Sequence, residues 1–95
     1  MTLQLPAILT LVQATATVAQ LRAAVSAAPA GIPFAVDASA LAEFDTSAIA
    51  VLLDGQRLAH ERGVVMQVQR APAKLLQLAA LYGVDGLLGL QVSVA

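Results

Sequence analysis

The sequence predicts an α/β domain: a largely parallel, four-stranded sheet with about three helices. Two observations predict the class, and a third describes its core. Short apolar runs of strand length alternate with Ala- and Leu-rich stretches of helical spacing, in the order strand, helix, strand, helix, strand, helix, strand. Pro and Gly fall between the runs, at Pro29–Pro33, Gly63, Pro72 and Gly83, where such a reading needs breaks. Alternation of this kind implies right-handed crossovers between parallel strands. The composition is 59% hydrophobic but only 3% aromatic, so the core is built from Ala, Leu and Val and its elements can approach closely. The same composition leaves more apolar surface than a small monomer can hide, which favours a partner interface. At 95 residues the chain is expected to form a single domain, residues 1–95.

Leu3, Leu5 and the run Ile8–Val12 read as a strand or hairpin, with Pro6 imposing a bend or an edge. From about Thr15 the spacing of Val18, Leu21, Arg22 and Val25 is helical, and Ala fills the positions between. That first helix should stop before Pro29. Pro33 to Ala38 is a short buried strand, and Leu41 to Asp45 a turn. The second helix runs from about Thr46 to Arg62 and ends at Gly63, a left-handed cap. Val64 to Gln69 is the next strand. Pro72 fits the first turn of the third helix, which ends at Tyr82-Gly83. Leu87 to Val94 gives one last short strand.

Net charge is −1, and the basic residues Arg22, Arg57, Arg62, Arg70 and Lys74 are scattered, so no stripe exists to neutralise a phosphate backbone. Nucleic acid is therefore not an expected partner. The chain has no Cys, which removes disulfides and thiolate metal sites and fits a cytoplasmic protein. The first charge is Arg22, but Gln4, Pro6, Gln13, Gln20 and several Thr interrupt the preceding apolar run. Direct insertion into a membrane is not expected. His60 has no second His or Cys to complete a metal site. The carboxylates of Asp37, Glu43 and Asp45 lie near one loop, where capping and turn formation account for them. No nucleophile–base pair, Gly-rich phosphate loop or cofactor signature is present, so no catalytic residue, metal or cofactor is expected.

The start of the second helix carries the most information. Asp45 is well placed as its N-cap, and Phe44 and Ile49 have the spacing of a hydrophobic staple. A helical wheel puts Ala48, Ile49, Leu52, Leu53, Ala59 and His60 on a buried face. Gln56 joins that face and is expected to hydrogen-bond to nearby backbone. Thr46, Ser47, Ala50, Asp54, Arg57 and Glu61 fall on the opposite face, open to solvent or a partner. Gly55 in a helix interior costs about 1 kcal/mol relative to Ala, which close approach of another element would justify.

The segment Phe34–Leu53, a strand ending in Asp37 followed eight residues later by Asp45-Thr46 at the head of an Ala/Leu/Ile-rich helix, resembles the STAS domain. That family includes anti-sigma-factor antagonists and the small cytoplasmic subunit of bacterial phospholipid ABC transporters. Leu58–Gly63 and Leu78–Val84 extend the resemblance, and Leu78–Val84 is similar to the last helix of the subunit in the Mla system, which maintains outer-membrane lipid asymmetry. Two departures stand out. Pro6-Ala7-Ile8-Leu9-Thr10 replaces the family's Gly-Glu-Leu-Asp, so Thr10 stands where kinase-recognised antagonists carry an acid. The family's first strand has no counterpart, which would leave an edge to be covered.

The resemblance implies a STAS-like mixed, largely parallel sheet and a non-catalytic regulatory subunit. It implies a cytoplasmic protein, peripheral to the inner membrane, that binds and regulates or stabilises the transporter's ATPase. Thr46, Ser47, Ala50, Asp54 and Arg57 are the expected partner-binding residues. The alternative is an anti-sigma-factor antagonist, bound by an anti-sigma kinase and switched by phosphorylation of Thr46. Self-association through the apolar surface is a third expectation.

Overall fold

In the segments Phe34–Asp37 and Met66–Gln69, buried residues alternate with half-buried ones, and this two-residue period organises the sheet. The computed structural model describes residues 2–84 and 86. Its elements are β1 (Thr2–Gln4), β2 (Ile8–Leu9), α1 (Leu11–Ala27), β3 (Phe34–Asp37), β4 (Glu43–Phe44), α2 (Thr46–Glu61), β5 (Met66–Gln69) and α3 (Ala73–Leu81). β1, β3 and β5 form a parallel sheet with β3 in the centre. Its register aligns Leu3, Val36 and Val68 on one face and Phe34 with Met66 beside them. Phe34, Val36, Met66 and Val68 are all buried in the core. Thr2, Gln4, Ala35, Asp37, Gln67 and Gln69 occupy the other face. β2 and β4 form a separate two-stranded parallel ladder.

The fold is thus the expected α/β arrangement, with three helices and parallel pairing. The strand expected at Leu87–Val94 lies outside the described residues. Two boundaries differ from the sequence reading by three residues or more. The strand expected through Val12 stops at Leu9, and α1 starts at Leu11 rather than near Thr15. The cause is at Thr10, whose backbone is extended and whose amide and hydroxyl both donate to Gln13 Oε1, at 3.0 and 2.7 Å. This local closure turns the chain into a helix despite the apolar character of Leu11 and Val12. The expected Leu41–Asp45 turn contains β4, because Glu43 and Phe44 find a partner in β2.

The helix ends follow their cap residues. α1 stops at Ala27, with Ala28 as its C-cap directly before Pro29. α2 gives way at Gly63, whose φ of +69° a side chain would oppose, and Gly83 at +68° plays the same part after α3. Pro72 stands just outside α3 as its N-cap.

α1 and α2 pack against each other, and the contact is close because α2 carries Gly55. A Cβ there would collide with Leu21 Cδ2 and lie 2.9 Å from Leu21 Cγ. Leu21 is fully buried and has no room to withdraw. Beside this contact Gln56 Nε2 donates to the Met66 carbonyl at 3.1 Å, tying α2 to β5 as the sequence predicted. The buried face of α2 is Ala48, Ile49, Val51, Leu52, Gly55 and Ala59. The wheel is therefore corrected. Leu53 is only half-buried and His60 is exposed, while Val51 and Gly55, which the wheel left off that face, are buried. The buried arc is rotated away from Leu53 and His60 and towards Val51 and Gly55.

Two stability measurements follow. Leu52→Ala should cost about 2–5 kcal/mol in denaturant unfolding, because Leu52 is fully buried. Gly55→Ala should also destabilise, on the order of 1 kcal/mol net, since overpacking of about 1–3 kcal/mol exceeds the gain of roughly 1 kcal/mol in helix propensity. A stabilised Gly55→Ala protein would contradict the packing described.

Candidate functional site

The ladder between β2 and β4 places Leu9 opposite Phe44. The next residue on each strand is a helix N-cap, Thr10 for α1 and Asp45 for α2. Two helices therefore begin side by side. The junction is closed by the Ala7 carbonyl, which accepts from the amides of Ala42 and Glu43 at 2.8 and 2.9 Å.

Asp45 is in extended conformation, and its Oδ1 accepts from the Ser47 amide at 2.8 Å. That bond, then the Ser47 hydroxyl, and more weakly the Leu11 amide at the head of α1, hold the carboxyl below the ordinary aspartate range. The predicted cap is thus present, and its carboxylate also faces the first turn of α1. Phe44 and Ile49 flank it as the staple positions, half-buried and buried respectively.

Thr46 follows, exposed, as the first residue of α2. It lines a groove of about 380 Å³ together with Phe44 and Asp45. The opposite wall is α3, through Lys74, Gln77, Leu78 and Leu81. The spacing i, i+3, i+4, i+7 makes these four a single stripe along the helix. Phe44, Leu78 and Leu81 supply the apolar part of the groove, and Asp45, Thr46 and Lys74 the polar part. Large apolar side chains also stand in water at the head of α1 and the end of α3: Leu11 is 76% exposed, Val12 85% and Leu81 78%, far too open to serve the core.

The structure does not gather all five residues expected to bind a partner. Thr46 and Ala50 are exposed one turn apart on α2. Ser47 is half-buried and gives its amide to the cap. Asp54 accepts from Arg22 Nε at 2.9 Å, which turns it towards α1. Arg57 is about 16 Å along the helix from Thr46. It lines a different hollow, of about 960 Å³, with Leu53, His60, Val65 and Met66. The three carboxylates near one loop are also separate in role. Asp37 accepts from the Ser39 amide at 2.9 Å and faces Arg70 at 3.7 Å, while Glu43 is exposed on β4. Among the described residues no three acidic or imidazole side chains converge on a point that could hold a metal.

Sequence reasoning missed Lys74 and the exposed Leu11, Val12 and Leu81. A signal was available for Lys74: a cation in the first turn of a helix opposes the helix dipole and needs another reason to be there. Leu11 and Val12 were hidden because apolar residues before a helix read as strand.

A family model described as "Mlab, STAS domain" matches residues 1–90, nearly the whole chain. The chain belongs to the STAS domain family, whose members are generally regulatory and non-catalytic. A search of curated proteins finds no match.

The cap has a measurable pH signature. Asp45's folded pKa is depressed, so the stability it contributes is fully present above its ordinary pKa of 3.8 and is lost as pH falls through the lower folded value. Asp37, depressed chiefly by the Ser39 amide, acts in the same direction. Asp45→Asn keeps a capping oxygen but removes the charge. In acid titrations followed by circular dichroism, it should lose less stability than the parent between about pH 5 and pH 2. Equal losses would show that the cap carboxylate gains nothing from its amides.

Proposed function

We propose that this STAS domain is the small non-catalytic subunit that binds and regulates or stabilises the ATPase of a phospholipid ABC transporter, as part of maintaining outer-membrane lipid asymmetry. The observation that carries the reading is the composition of one end of the molecule. Thr46 stands exposed at the head of α2 in a groove whose apolar lining includes the exposed Leu81, and Leu11, at the head of the neighbouring α1, is exposed as well. Exposed apolar side chains around a polar centre suit a protein partner. The MlaB description of the matching family model supports the transporter branch. The domain would work in the cytoplasm and reach the inner membrane through its partner. No helix among the described residues is long and apolar enough to cross a membrane.

The second reading, an anti-sigma-factor antagonist switched by phosphorylation of Thr46, draws on the exposure of that residue and on Lys74 across the groove. One feature favours the transporter reading over it. Thr10 stands where the kinase-recognised members carry an acid. Capture from the native cell separates the readings: an ABC ATPase, an anti-sigma kinase, or only a second copy of the chain.

Binding of the purified ATPase tests the central residue. Thr46→Glu should weaken binding at least tenfold, about 1.4 kcal/mol, because its charge must be desolvated beside Asp45. Thr46→Ala should be milder, and both variants should keep the parent circular dichroism spectrum, since Thr46 is exposed. Unchanged affinity for Thr46→Glu would take Thr46 out of the interface.

A further inference from the structure

The groove beside Thr46 has a chemical bias. We propose that it receives an apolar side chain of the ATPase next to a carboxylate, and that this carboxylate pairs with Lys74. The proposal rests on the reading that the ATPase is the partner, and adds the chemistry of the contact. Four observations support it. The groove, at about 380 Å³, has room for a few side chains and not for a domain. Its apolar part, Phe44, Leu78 and Leu81, fits an aliphatic or aromatic group. Lys74 is the second residue of α3, where the helix dipole opposes a cation, and no acidic residue accompanies it in that first turn. Among the described residues the ion pairs are Arg22–Asp54 and Arg70–Asp37, and Lys74 takes part in neither.

The sign of the partner's charge follows from the two walls. Asp45, the acid on the facing wall, already accepts from the Ser47 amide and is further stabilised by Leu11. An incoming cation would find that carboxylate engaged and Lys74 repelling it. An incoming carboxylate would have to seat against Lys74 and the positive N-terminal end of α3, away from the Asp45 carboxylate that caps α2. The apolar side chain beside it excludes water and strengthens the pair.

The test is titration of the full chain into the purified ATPase subunit, with Lys74→Glu, Lys74→Gln and Lys74→Arg measured in parallel and circular dichroism as the folding control. Lys74→Glu should bind about tenfold or more weakly, and Lys74→Arg nearly as the parent. Parent affinity should fall with added salt, and Lys74→Gln should flatten that dependence. An acid-to-Lys change on the ATPase that restores binding of Lys74→Glu would identify the paired carboxylate. If the parent binds and Lys74→Glu binds equally well, the proposal is overturned while the ATPase reading stands. If the parent does not bind the ATPase at all, that reading fails and takes the proposal with it.

Discussion

Two residues of parallel pairing, Ile8–Leu9 against Glu43–Phe44, determine where this molecule presents a surface. Without that short ladder, the chain after β1 and the chain after β3 would be free to enter their helices at different levels. With it, Thr10 and Asp45 are neighbours and α1 and α2 begin together. The ladder is small, but it is anchored. Leu9 has no exposed surface, and the Ala7 carbonyl accepts two amides from the opposing segment. A short polar loop therefore becomes a fixed platform, and Thr46 gains a defined position on it.

The second constraint is the distance between α1 and α2. Gly55 lets Leu21 pack where a side chain would otherwise stand, so the helices meet closely along a core of small residues. The Arg22–Asp54 bond lies on the outer side of the same contact, with side chains 51% and 30% exposed, and solvent screening leaves it worth less than about 1 kcal/mol. Packing, not charge, sets the helix spacing. The same economy explains the apolar composition. Ala-rich helices can pack tightly with little aromatic bulk, while Leu11, Val12 and Leu81 remain outside the core.

Much of this was legible because it rests on local chemistry. Asp45 caps α2 by a side-chain bond two residues away, and Gly63 and Gly83 end helices by backbone conformation alone. Such features need no knowledge of the rest of the fold. The start of α1 was misread because Leu11 and Val12 are apolar yet exposed, whereas hydrophobic periodicity assumes that apolar residues are buried. The phase of α2 was misread at Leu53 and His60 because a wheel weights large apolar side chains, whereas the buried arc lies nearer Gly55, whose missing side chain lets α1 approach. The groove was not legible at all. It depends on the stripe Lys74, Gln77, Leu78 and Leu81 facing Thr46, which is a tertiary fact about residues twenty-eight or more positions apart. Asp54 and Arg57 share a helical face with Thr46, but one is drawn to Arg22 and the other stands beside a different hollow.

The central claim is that the end of the molecule where α1 and α2 begin is the face that meets the ATPase. Amide hydrogen exchange of the chain, free and in complex with the purified ATPase, measures this directly. Peptides covering residues 8–13, 44–50 and 73–82 should exchange more slowly in the complex, while residues 56–66 around the larger hollow should be unchanged. Protection confined to residues 56–66 in a stable complex would contradict the account, because it would move the interface to the opposite end of α2.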